Sequence, residues 1–110
     1  MKRLIALLGL ATLPTVVSAA HEHPHDFAHG YALADKKGCL ECHDIGRTVI
    51  GPSYAAIARH YRFDPGARER LPYVIRGGSI GHWGDRFAMW PQPNLSDAEV
   101  EELVEWVLSQ

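Results

Sequence analysis

The two cysteines of this 110-residue chain stand at positions 39 and 42, and a histidine follows the second directly: Cys39-Leu-Glu-Cys-His43. No other stretch constrains the fold as strongly. In a C-x-x-C-H segment each thiol can form a thioether to a haem vinyl group, and the histidine can ligate the iron. The cysteines span about one helical turn, which sends the next ring across the plane their sulfurs define. Other chemistries use part of the pattern. A thioredoxin-type redox disulfide also employs C-x-x-C, but it needs a βαβ context, and no strand pattern precedes Cys39. Four-coordinate zinc would require further Cys or His ligands at matching spacing. Haem attachment uses all three residues.

The N-terminus reads as a secretory leader. Met1-Lys2-Arg3 is a positive start, Leu4 to Val17 is almost uninterrupted apolar sequence, and Val17-Ser18-Ala19-Ala20 offers cleavage after Ala19 or Ala20. The apolar run is short for a membrane span, and Pro14 interrupts it. We therefore expect a signal peptide over residues 1–20, a periplasmic mature chain, and no stable membrane insertion after cleavage. Loss of Lys2 and Arg3 moves the net charge from −2 to −4. That excludes a basic nucleic-acid footprint.

The remainder suits a single small domain, in which a buried haem would supply much of the apolar centre. His21-Glu-His-Pro-His-Asp-Phe-Ala-His29 forms a histidine-rich segment, 21–29, expected to be flexible. The density of His21, His23, His25 and His29 is also compatible with divalent metal. The domain proper is expected over 30–110. From Gly30 a first helix leads to the motif, and Ser53 can cap a second carrying Tyr54, Ile57 and Tyr61. A third runs from Ala67 to Arg76, crossed by Pro72 and ended by Gly77-Gly78. Residues 79–95 show no periodicity and read as a long structured loop. Ser96-Asp-Ala-Glu99 is a capping box opening a last helix, with Val100, Leu103, Val104, Val107 and Leu108 in one stripe. No strand is convincing, so the fold class is all-α.

The second axial position decides the chemistry of a haem. Met89 is the one methionine beyond Met1, and it lies on the long loop rather than in an amphipathic stripe. Thioether sulfur is a soft neutral donor that raises the potential of haem iron. His60 and His82 are the rival ligands, His60 less so because it sits between Arg59 and Arg62. Leu40, Ile50, Tyr54, Ile57, Leu71, Val74, Ile75, Leu95 and Leu103 are the expected pocket wall. Arg47 and Arg86 are candidate contacts to the propionates.

With these residues in view, 30–110 resembles the small bacterial class I c-type cytochromes. The likeness rests on Cys39-x-x-Cys42-His43, the Gly51-Pro52 pair, the Gly78-Ser79-x-Gly81-x-Trp83-Gly84 run, Met89 with Pro91, and Ser96-Asp97 with Trp106 to Ser109. It implies three to five helices around one covalently attached haem c, a proline at Pro52 beside the histidine, and an indole at Trp83 donating to a propionate. It also implies that the helix before the motif crosses the last helix. One departure concerns local geometry: Gly84-Asp-Arg-Phe-Ala88 has no proline before Met89, and Trp90 stands where proline is common. The function implied is a periplasmic one-electron carrier, not an enzyme, with redox partners docking transiently at the haem edge. The alternatives are a cytochrome subunit fixed to a periplasmic oxidoreductase complex, and a haem gas sensor with a weak or absent sixth ligand.

Overall fold

The computed structural model describes residues 27–110. The expected leader and His21, His23 and His25 lie outside the described residues. Four helices carry the core: α1 (Phe27–Lys36), α2 (Tyr54–Tyr61), α3 (Ala67–Gly77) and α4 (Asp97–Leu108). A single 3-10 turn, Cys39–Glu41, contains the first cysteine.

α1 begins at Phe27 rather than Gly30, so His29 stands on a helix and not in a flexible segment. Aromatic packing accounts for the extra turn. Phe27 stacks on Tyr31 one turn later, with centroids 6.2 Å apart, and meets Trp106 at 6.1 Å. α2 starts where Ser53 Oγ accepts from the Ala56 amide at 3.1 Å. In α4 the capping box forms in both directions: Glu99 N donates to Ser96 Oγ at 3.2 Å, and Ser96 N to Glu99 Oε2 at 3.0 Å. α3 accommodates Pro72 in its interior, giving up one intrahelical hydrogen bond there.

α4 is the hub, packed on α1, α2 and α3. The expected stripe of Val100, Leu103, Val104 and Val107 is buried, and Trp106 joins it at 2 % exposure. The α1–α4 crossing depends on Gly30, because a β-carbon there would overlap the Trp106 indole. Glycine's lack of a side chain, rather than its backbone freedom, is what this position uses. Ion pairs tie the frame from outside, Arg76 with Asp97 among them. Lys37 Nζ lies 2.8 Å from Glu99 Oε1, and Arg68 makes a bidentate pair with Glu105 at 2.6 and 2.9 Å.

The loop expected over 79–95 contains a small antiparallel sheet. β1 (Ser79–Gly81) pairs with β2 (Gly84–Met89), placing Ser79 opposite Met89 and Ile80 opposite Ala88, with an irregular register between Ile80 and Gly81. β1 has three residues and little burial. It therefore leaves no hydrophobic alternation for a sequence pattern to detect. The domain remains helical in its core, with this hairpin laid beside it.

Candidate functional site

A cavity of about 300 Å³ lies between α2, α3, α4, the attachment motif and the hairpin. Its lining includes Cys39, Cys42 and His43 from the motif, Pro52 and Tyr54 from the start of α2, and Trp83 and Met89 from the hairpin. Most of the remaining wall is apolar: Ile50, Ile57, Leu71, Val74, Ile75 and Leu103 all take part as expected. Leu40 and Leu95 do not. They pack into the helical core instead, one shell away from the space they were expected to line.

The motif is held by its own backbone and by the segment that follows it. His43 N and Cys42 N both donate to Cys39 O, at 3.0 and 3.3 Å, and Gly51 N returns to Cys42 O at 2.7 Å. Tyr54 N and Ala55 N then donate to Asp44 O and Ile45 O, each at 3.0 Å. This lacing brings Pro52 beside His43, whose Nδ1 donates to the Pro52 carbonyl at 2.7 Å. A carbonyl only accepts, so the Nδ1 position carries a proton, and in the neutral ring the lone pair lies on Nε2. Such an outer hydrogen bond is how a ligating histidine is usually oriented.

Tyr54 is buried at 4 % exposure, its ring stacked 5.2 Å from the His43 ring at an interplanar angle of 28°. Its hydroxyl lies on the side of the Cys39 sulfur and interacts with it electrostatically. Burial pushes the Cys39 thiol above its ordinary value, outweighing the backbone hydrogen bond and the Tyr54 hydroxyl, which lower it. Burial likewise raises Tyr54 strongly, so the phenol stays protonated.

On the hairpin, Met89 is half-buried at the end of β2. The backbone passes very close to Gly78, which has φ +72°, and a β-carbon there would meet the Met89 carbonyl and Pro91. Glycine is required on both counts, conformation and space. Past Met89, Gln92 N anchors to the Ile75 and Arg76 carbonyls at 3.1 and 3.2 Å, returning the chain to α3.

Arg47 stands outside the cavity wall. Expected at the cavity's charged rim, it instead has its side chain 81 % exposed, 3.6 Å from Asp44. The cause is local. Asp44 Oδ1 accepts from the amides of Gly46 and Arg47 at 3.0 and 2.9 Å, a turn that also holds the Asp44 carboxyl below its ordinary value. Arg86 is exposed and outside the lining too. Of the rival histidines, His82 reaches the lining, while His60 is exposed and packs 4.9 Å from the Trp83 ring. Sequence reasoning passed over Phe87, Trp90, Val104 and Val107, which complete the wall. The first two sit on the hairpin it read as loop. The others lie on α4, where burial in the helical core was the simpler expectation.

The donor set fits a c-type haem. Two thiols flank one end of an apolar cavity, an imidazole has Nε2 free, and a thioether shares the same lining. A bare metal ion finds no comparable cage: among the described residues no group of three or more His, Cys, Asp or Glu side chains could hold one. A helical domain enclosing such a cavity, with C-x-x-C-H along its edge, defines a protein that carries one covalently attached haem.

The family model for cytochrome c matches residues 27–110. Cytochrome c-552 of Hydrogenobacter thermophilus is 35% identical over 106 residues, covering 96% of this chain and 93% of that protein. Cytochrome c-551 of Pseudomonas aeruginosa is 36% identical over 107 residues, covering 96% and 95%. The crystal structure of wild-type Nitrosomonas europaea cytochrome c552 superposes with a TM-score of 0.68 at 38% identity, over 72% of this chain and 96% of that one. The chain belongs to the cytochrome c family, among its small bacterial class I members.

Proposed function

We propose that this protein is a periplasmic one-electron carrier with His43 and Met89 as the axial ligands of its haem. The observation that carries the proposal is the joint presence of His43, with Nε2 free, and the half-buried Met89 in one apolar lining. Haem, when bound, supplies a one-electron Fe(III)/Fe(II) couple. Cys39 and Cys42 would hold it as thioethers. Pro52 keeps His43 in the tautomer that can ligate, and Met89 contributes a soft neutral donor that favours the reduced state. The apolar wall excludes water and raises the cost of charge at the centre. Trp83, half-buried in the lining, is the candidate donor to a propionate.

The leader-like sequence before Ala20 supports export. Among the described residues no helix is long and apolar enough to cross a membrane. Ile50 and Trp90 line the cavity and are exposed at its mouth, 61 % and 78 %. They offer an apolar rim for transient docking of redox partners. The relatives above are named as cytochromes c, and nothing in the comparisons favours the fixed-subunit alternative.

The visible spectrum of the purified ferric haem protein tests the proposal. A weak far-red band characteristic of sulfur ligation, with no carbon monoxide adduct of the native ferrous form, is the expected result. High-spin iron or ready carbon monoxide binding would sink it in favour of a gas-binding role.

A further inference from the structure

We infer that Tyr54 is a positioning residue for the iron site: its ring sets the plane of the His43 imidazole, and its hydroxyl, facing Cys39 Sγ, keeps that ring in place. The inference rests on His43 being the axial ligand proposed above.

The hydrogen bond from His43 Nδ1 to Pro52 O fixes one atom of the ring. It leaves the imidazole free to swing about that contact, because the terminal torsion of histidine is broad. Tyr54 removes this freedom. Its ring lies 5.2 Å from the imidazole at 28°, near enough to parallel to block rotation on that face. Pro52 and Tyr54 therefore grip the same ring by its edge and by its face, from positions either side of the α2 cap residue Ser53.

Tyr54 is itself immobilised. Trp106 meets it edge-on at 4.7 Å and 66°, and its amide bonds Asp44 O, the residue after His43. A side chain meant only to fill space could have been phenylalanine. The phenol instead interacts electrostatically with Cys39, so one residue senses both the first and the last member of Cys39–His43. A buried phenol needs a partner, and sulfur retains lone pairs as a thioether, so this interaction survives haem attachment.

The orientation of an axial imidazole plane governs how unpaired spin is distributed over a low-spin ferric haem. It is therefore read directly from the spread and order of the hyperfine-shifted haem methyl resonances. The experiment compares the ferric holoprotein with its Tyr54→Leu and Tyr54→Phe variants by proton NMR, with thermal midpoints measured in parallel. Tyr54→Leu is expected to change the spread or order of the methyl shifts. Tyr54→Phe, which keeps the stack and loses the tether, should change them in the same direction by less.

A Tyr54→Leu protein with a lowered midpoint and wild-type methyl shifts would overturn the inference, leaving Tyr54 a packing residue. Wild-type shifts in Tyr54→Phe alone would overturn the role of the hydroxyl. If Tyr54→Leu yields no folded holoprotein, Tyr54→Met, which also removes the stacked ring, takes its place: altered shifts support the inference and unaltered ones reject it. Failure of the underlying ligand assignment looks different, since the wild-type protein would then lack a low-spin spectrum.

Discussion

Between Cys39 and Tyr54 the backbone is tied to itself at every turn, through Cys39 O, Cys42 O, Asp44 O and Ile45 O, and His43 is held at edge and face. Between Ser79 and Trp90 the chain forms a short irregular hairpin, with Ile80 82 % and Trp90 78 % exposed. Both segments line one cavity. The first is rooted in the α1–α4 frame through Tyr54 and Trp106; the second hangs between Gly78 and Gln92. A redox centre built this way has one side that defines position and another that closes on it. Segments with exposed hydrogen bonds and little buried area open first, so loss of the proposed Met89 ligand should precede any loosening around His43.

The largest effect should come from Met89→Ala. It is expected to abolish the sulfur band, admit carbon monoxide and lower the potential by a sizeable part of the roughly 0.8 V over which axial ligands act. Covalent attachment and helical circular dichroism should stay intact. Loss of helical structure in that variant would break the contrast between the two sides.

Gly30→Ala attacks the frame instead. Its β-carbon collides with Trp106, and overpacking of this kind costs about 1–3 kcal/mol. Chemical denaturation should show this, with the far-red band persisting in the folded protein. A smaller loss, ~1 kcal/mol, is expected for Ser96→Ala, which removes the α4 cap.

The smallest effect is a pH dependence. Lys37 and the Ser96 amide hold the Glu99 carboxyl below its ordinary value. A carboxylate depressed in the folded state stabilises fully above its unfolded pKa of about 4.3 and loses that contribution as pH falls through the folded value. Acid titration of stability should therefore be shallower in Glu99→Gln over that range. An unchanged acid profile would show that the Lys37–Glu99 pair is too exposed to matter.

What could be read from the sequence was local. The attachment motif, the Ser53 cap and the Ser96–Glu99 box each involve residues within one turn of one another, and pattern alone finds them. Gly30 and Trp106 are far apart in the chain, so the reason for a glycine inside α1 emerges only when two helices cross. The hairpin escaped because its strands are short and exposed, leaving composition to suggest a loop. The exposed position of Arg47 has a local cause. The Asp44-Ile-Gly46 turn beside it is a recognisable Asx pattern, and reading it would have directed the guanidinium toward Asp44. Tyr54 was legible as wall but not as a contact to His43, since stacking depends on how the chain returns after Gly51.

The pairing of β1 with β2 carries one more consequence. Along β2 Phe87 and Met89 are half-buried, while Arg86 and Ala88 are exposed. In a strand, neighbours point to opposite faces, so the greater burial of Met89 over Ala88 follows the parity of the strand. An odd change in the number of residues between Gly84 and Met89 exchanges the thioether for a neighbouring side chain, and an even change restores it. The proposed second ligand would thus be set by a count along the chain, with Gly78 fixing where the counting ends.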